Sequence, residues 1–145
     1  MENDQNKKYY KILQDAIDQN IITLPSELSK VFVPFRAYRA INMKAIRPLE
    51  RSDFNSQAER ASNILPIDKT DWGNYSCSCF TDISKLYLAM KLPRKGKRVA
   101  VGMLCCEFGS VFASDSTSHI HWFLYNECDP SKLFCLFEET AGGVK

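Results

Sequence analysis

Two apolar segments, Val99 to Cys106 and Ile120 to Tyr125, limit the architectures open to this chain more than any other part of it. Both fall far short of the roughly 20 apolar residues that span a bilayer, and both read as strands of a buried sheet. Alternation places Val99, Val101, Met103 and Cys105 on one face of the first. Gly96 turns the chain before it and Gly109 marks a turn or bulge after it. The polar run Asp115-Ser116-Thr117-Ser118 separates it from the second, which opens at His119.

Further strands are predicted at Phe35 to Ile41, Tyr75 to Phe80, Ser110 to Ala113 and Phe134 to Phe137, each with β-branched, aromatic or alternating residues. In the first of these, Phe35, Ala37, Arg39 and Ile41 share one face, and Arg36 and Tyr38 point the other way. Helical spacing appears in Tyr9, Ile12, Leu13, Ala16, Ile17 and Ile21, with Lys8, Lys11, Gln14, Asp15 and Asp18 on the solvated side and Asn20 as a stop. A short turn of helix is expected after Pro25, another through Gln57, Glu59, Arg60 and Ala61 that the stretch Ser52-Asp53-Phe54-Asn55-Ser56 can cap, and a third over Ile83, Leu86, Tyr87 and Met90 that ends at Pro93. Asp129-Pro130 supplies an N-cap and a first helical position. The fold class that follows is α+β: a mixed, mostly antiparallel sheet of about four to six strands, an N-terminal amphipathic helix and short packed helices.

At 145 residues the chain is the size of one domain. Residues 1–8 and 140–145 read as flexible ends, and residues 9–139 as a single α+β unit. Hydrophobic residues at 45% and charged residues at 25% match folded, soluble chains and argue against disorder. The opening MENDQNKK lacks the apolar stretch of about 7–15 residues that an export signal requires, so a cytoplasmic location without a membrane partner is expected. Six cysteines in that setting are expected to be free thiols, with Cys105, Cys106, Cys128 and Cys135 in packing roles.

Several constellations carry chemistry. Tyr38-Arg39 on an early strand, Tyr75-Ser76-Cys77-Ser78 before a helix, and a late Glu138-Glu139 pair together resemble the ADP-ribosyltransferase-like group of small proteins. The resemblance covers residues 35 to 139. It implies a scaffold that takes NAD as cofactor, with Arg39 on a phosphate, Tyr38 and Tyr75 beside the ligand, Ser76 or Ser78 bracing the nicotinamide, and Glu138 or Glu139 stabilising the ribosyl cation. The family spaces its two acidic or amide residues one apart, whereas these glutamates are adjacent; Glu107 is the substitute. Read without the family, Arg39 is an ion-paired strand residue and the serines cap the following helix.

Cys77 and Cys79, with His119 and His121 at the same spacing, form an alternative zinc set, since each pair lies on one face of a strand. The pairs lack the two-residue gap common in structural zinc sites, and buried cysteine suits a core. Lys91, Arg94, Lys95, Lys97 and Arg98 make a basic cluster, but without interleaved aromatics it reads as a solvated loop and not a nucleic-acid site. No G-x-S-x-G elbow, phosphate-binding loop or dinucleotide glycine pattern occurs. Aromatic content points instead to a protein partner, anchored by Trp72, Tyr75 and Phe54 with Arg47 and Arg51, the residue types that dominate binding hot spots. Trp122, between Ile120 and Leu124, is expected in the core. The leading expectation is an interaction or accessory protein, with ADP-ribose transfer to a macromolecule and a zinc-held structural domain as alternatives.

Overall fold

The helical period near the N-terminus is realised as α1 (Lys11–Asp18), which buries Leu13 and Ala16 and exposes an i, i+4 ion pair between Lys11 and Asp15. Asn20, at φ 60°, takes the left-handed conformation that ends the helix. The computed structural model describes residues 8–26, 28, 33–61, 66–90, 96–105, 107–113 and 118–137. Most of the turn expected after Pro25, Glu138 and Glu139, and the flexible C-terminal end therefore lie outside the described residues. Of the N-terminal segment expected to be flexible, Lys8 is described, and its carbonyl accepts from the Asn126 amide at 2.8 Å.

Among the described residues six strands form one sheet: β1 (Phe35–Asn42), β2 (Cys77–Phe80), β3 (Lys97–Leu104), β4 (Gly109–Ala113), β5 (His119–Leu124) and β6 (Phe134–Leu136), in the spatial order β4-β5-β2-β1-β3-β6. Every pairing is antiparallel, so the architecture is α+β at the upper end of the expected strand number. The spine is β1 against β3, in register from Phe35 opposite Leu104 to Asn42 opposite Lys97. By contrast β1 meets β2 only where Tyr38 faces Phe80. Short helices follow: α2 (Gln57–Arg60), closed by a reciprocal capping box between Ser56 and Glu59, and α3 (Ile83–Met90).

One face of the sheet is dry. Ala37, Ile41, Cys77, Cys79, Ala100, Leu104 and Trp122 pack there with Leu13 and Phe54. Trp122 stacks on Phe134 at 6.0 Å, and Phe134 meets Phe54 at 4.9 Å. Gly102 is required where β6 crosses: a Cβ at that position would lie 2.7 Å from both the Leu133 carbonyl oxygen and the Phe134 ring. On the opposite face a smaller cluster joins Tyr38 and Val99 to Leu86 and Met90 of α3. The five described cysteines are free thiols. Cys77 and Cys79 are sealed in the core, but Cys135 is exposed, because its alternate position on the three-residue edge strand β6 points it away from Phe134. That corrects the packing role expected for Cys135; Cys106 lies outside the described residues.

Candidate functional site

β2 and β5 pair so that Cys77 faces Trp122, Ser78 faces His121, Cys79 faces Ile120 and Phe80 faces His119. This parity sorts the polar residues. Serines and histidines share the face that carries α3, and the cysteines share the dry face with Trp122. Two diagonal hydrogen bonds result: Ser78 Oγ to His119 Nε2 at 2.5 Å, and Ser76 Oγ to His121 Nδ1 at 2.8 Å. The imidazoles meet edge to face, 4.5 Å between centroids, and continue into an aromatic row: Phe80 lies 5.0 Å from His119, and Trp72 lies 5.0 Å from His121 and 5.2 Å from Phe112.

The two Ser–His pairs differ in proton logic. Ser76 is buried and its only hydroxyl proton goes to the Gly73 carbonyl at 3.0 Å. His121 Nδ1 must then donate to Ser76, which leaves its Nε2 with the lone pair. Ser78, in contrast, is exposed, and among the described residues no backbone acceptor competes with His119 for its hydroxyl. Burial lowers the pKa of both imidazoles, that of His121 to about 4 with a further push from His119 against the opposing Asp71 carboxylate. Both rings are neutral bases near pH 7.

Beside His119 opens a shallow pocket of about 400 Å³ lined by Phe80, Lys85, Ala89 and His119. Lys85 and Ala89 reach it from one side of α3, being four residues apart. The helix starts at Asp82, whose carboxylate accepts from the Ser84 amide at 2.9 Å. The recess thus combines phenylalanine, alanine, histidine and lysine side chains.

Arg39 stands apart from this site. It is 6% exposed on the dry face and donates to three carbonyls: Asp53 at 3.0 Å, Ser78 at 2.9 Å and Asn55 at 3.2 Å. Its guanidinium staples the place where β1 and β2 diverge and holds the Ser78 backbone, while the Ser78 side chain leaves on the opposite face. Arg39 and the serine hydroxyls therefore do not converge on one cleft. Tyr38 belongs to the α3 cluster, edge to face with Phe137 at 5.7 Å. Glu138 and Glu139 are outside the described residues, and Glu107 is exposed in the turn before β4.

The four-ligand zinc arrangement is not assembled, because the register puts Cys77 and Cys79 on the face opposite His119 and His121. Among the described residues no group of three or more His, Cys, Asp and Glu side chains is placed to hold a metal ion. The Cys79 thiol is instead pushed up by its hydrogen bond with Cys77 and by burial. The aromatic anchor set also needs correction. Phe54 is fully buried beneath Arg39, and Tyr75 is buried with its hydroxyl donating to the Lys69 carbonyl at 2.8 Å. Arg47 pairs with Asp53 at 2.8 Å, which holds that carboxylate below its ordinary range, and Arg51 pairs with Glu59 at 3.1 Å. Only Trp72 of these aromatics is half-exposed, and it joins the histidine row. In the basic cluster, Lys91, Arg94 and Lys95 are outside the described residues, Lys97 begins β3, and Arg98 donates to the Met43 and Lys44 carbonyls.

Residue types alone did not single out Phe80, Lys85 and Ala89. The available signal was the i, i+4 spacing of Lys85 and Ala89 on a helix that follows directly from the strand bearing Ser78 and Phe80. Comparison with protein-family models, curated proteins and solved structures finds no match to this chain. No described helix is long and apolar enough to cross a membrane.

Proposed function

We propose that the protein is an interaction module whose recognition surface is the histidine-bearing face of the sheet. Its partner inserts an aromatic or apolar side chain bordered by a carboxylate. The observation that carries this reading is the pocket itself: Phe80 and Ala89 offer apolar contact, Lys85 is a cationic residue in its wall, and His119 completes the lining, hydrogen-bonded to Ser78. A flat group against Phe80 gains apolar burial, and an anion beside Lys85 gains a charge-assisted contact. ADP-ribose transfer through Arg39 draws no support from this geometry, since that guanidinium already serves three carbonyls.

N-acetylphenylalanine and its uncharged amide are suitable probes, followed by NMR through the His119 ring protons. The acid is expected to shift those resonances and to bind at least several-fold more tightly than the amide. Lys85→Gln removes the difference and Phe80→Ala weakens both. Absence of any shift at His119 with millimolar acid would sink the proposal.

A further inference from the structure

We infer that Ser78 is an activatable nucleophile, with His119 as its base, and that the pocket accepts an ester of a flat apolar acyl or leaving group. The inference rests on the binding reading above, because it uses the same pocket. Three observations converge on it. Ser78 is exposed and its Oγ lies 2.5 Å from His119 Nε2, within reach for proton transfer. The imidazole is fixed on two sides, by Phe80 at 5.0 Å and His121 at 4.5 Å, so its orientation toward Ser78 is held by packing. His119 also lines the pocket, which puts the base on the wall of a recess with the Ser78 hydroxyl one hydrogen bond away.

The second Ser–His pair shows why the assignment falls on Ser78. Ser76 has committed its proton to Gly73 and is buried, so neither deprotonation by His121 nor attack on a ligand is open to it. Ser78 carries neither restriction.

The step is nucleophilic acyl transfer. Ser78 Oγ forms a bond to the carbonyl carbon as its proton passes to His119 Nε2, and the carbonyl electron pair moves onto the carbonyl oxygen. The tetrahedral adduct collapses, the carbon–oxygen bond to the leaving alcohol breaks, and the proton on His119 Nε2 goes to the departing oxygen. Water then attacks the acyl-Ser78 ester by the same route, releasing the acid and restoring the serine.

A fluorophosphonate ester probe, which phosphonylates activated serines with loss of fluoride, tests this on the full chain at pH 7.5 by intact mass and peptide mapping. One adduct on Ser78 is expected, absent in Ser78→Ala and slowed at least 100-fold in His119→Gln. In the unmodified protein, labelling should fall as the medium is acidified and His119 takes up a proton, a readout that does not depend on any variant folding. No adduct, an adduct elsewhere, or an acid-insensitive rate at Ser78 overturns the inference. N-acetylphenylalanine binding measured on the same sample separates the two proposals: binding without labelling leaves a recognition module with an inert serine, and loss of both removes the pocket as a site.

Discussion

The two faces of one four-residue strand behave as different materials. On one side of β2, Cys77 and Cys79 lie sealed against Trp122, Ile120 and the buried Arg39 guanidinium, which donates to three backbone carbonyls. On the other, Ser76 and Ser78 hold two half-buried imidazoles beside a pocket. The contrast shows that a charged residue next to candidate serines is not thereby part of their site. Arg39 touches the serine face only indirectly, through its hydrogen bond to the Ser78 carbonyl.

That division can be broken most forcefully from the dry side. Arg39→Met keeps the apolar stem but leaves three carbonyls without their donor, and is expected to cost about 3–5 kcal/mol in urea-monitored unfolding. Gly102→Ala is next: its added methyl meets a backbone carbonyl and the Phe134 ring at 2.7 Å, so β6 must move, with an expected cost of about 1–3 kcal/mol.

Acidification probes the other face. His121 has a folded-state pKa of about 4, below the ordinary histidine value of 6.5, and His119 is lowered as well. Below pH 6.5 the unfolded chain therefore binds protons that the folded protein refuses, so the stability these rings confer is full above that pH and is lost as it falls toward about 4. After discounting for their partial exposure, a loss of about 1–2 kcal/mol is expected, and His121→Phe should flatten the pH dependence. Ser78→Ala completes the ranking with a cost of about 0.5–1 kcal/mol, that of one partly exposed hydrogen bond to His119. A cost for Ser78→Ala comparable to that of Arg39→Met would abolish the distinction between the faces.

Much of the architecture was legible in the residues. The period-2 pattern of Phe35 to Ile41 put Ala37, Arg39 and Ile41 on one side, and the structure buries all three there. Asn20 and Asp129 carried the stop and cap signals that the backbone uses, and of the capping stretch Ser52 to Ser56 the backbone uses Ser56 for the helix that follows. The fate of Phe54 and Tyr75 was not legible, because an aromatic side chain in a polar loop looks the same whether a neighbouring element covers it or not. Nor was the role of Arg39, since the three carbonyls it satisfies come from β2 and from the turns near residues 53 and 55, which only the folded chain brings to it.

The sequence by itself determined which residues travel together. Ser76 with Ser78, Cys77 with Cys79 and His119 with His121 are same-face sets in any strand, because successive side chains alternate. Tertiary structure alone decided which set meets which. The pairing of Cys77–Phe80 with His119–Leu124 joins segments about 40 residues apart, and a shift of one residue in its register moves every side chain to the other face. That choice is made by burying Trp122, Ile120 and both cysteines on one side, which leaves the histidines to the serines on the other.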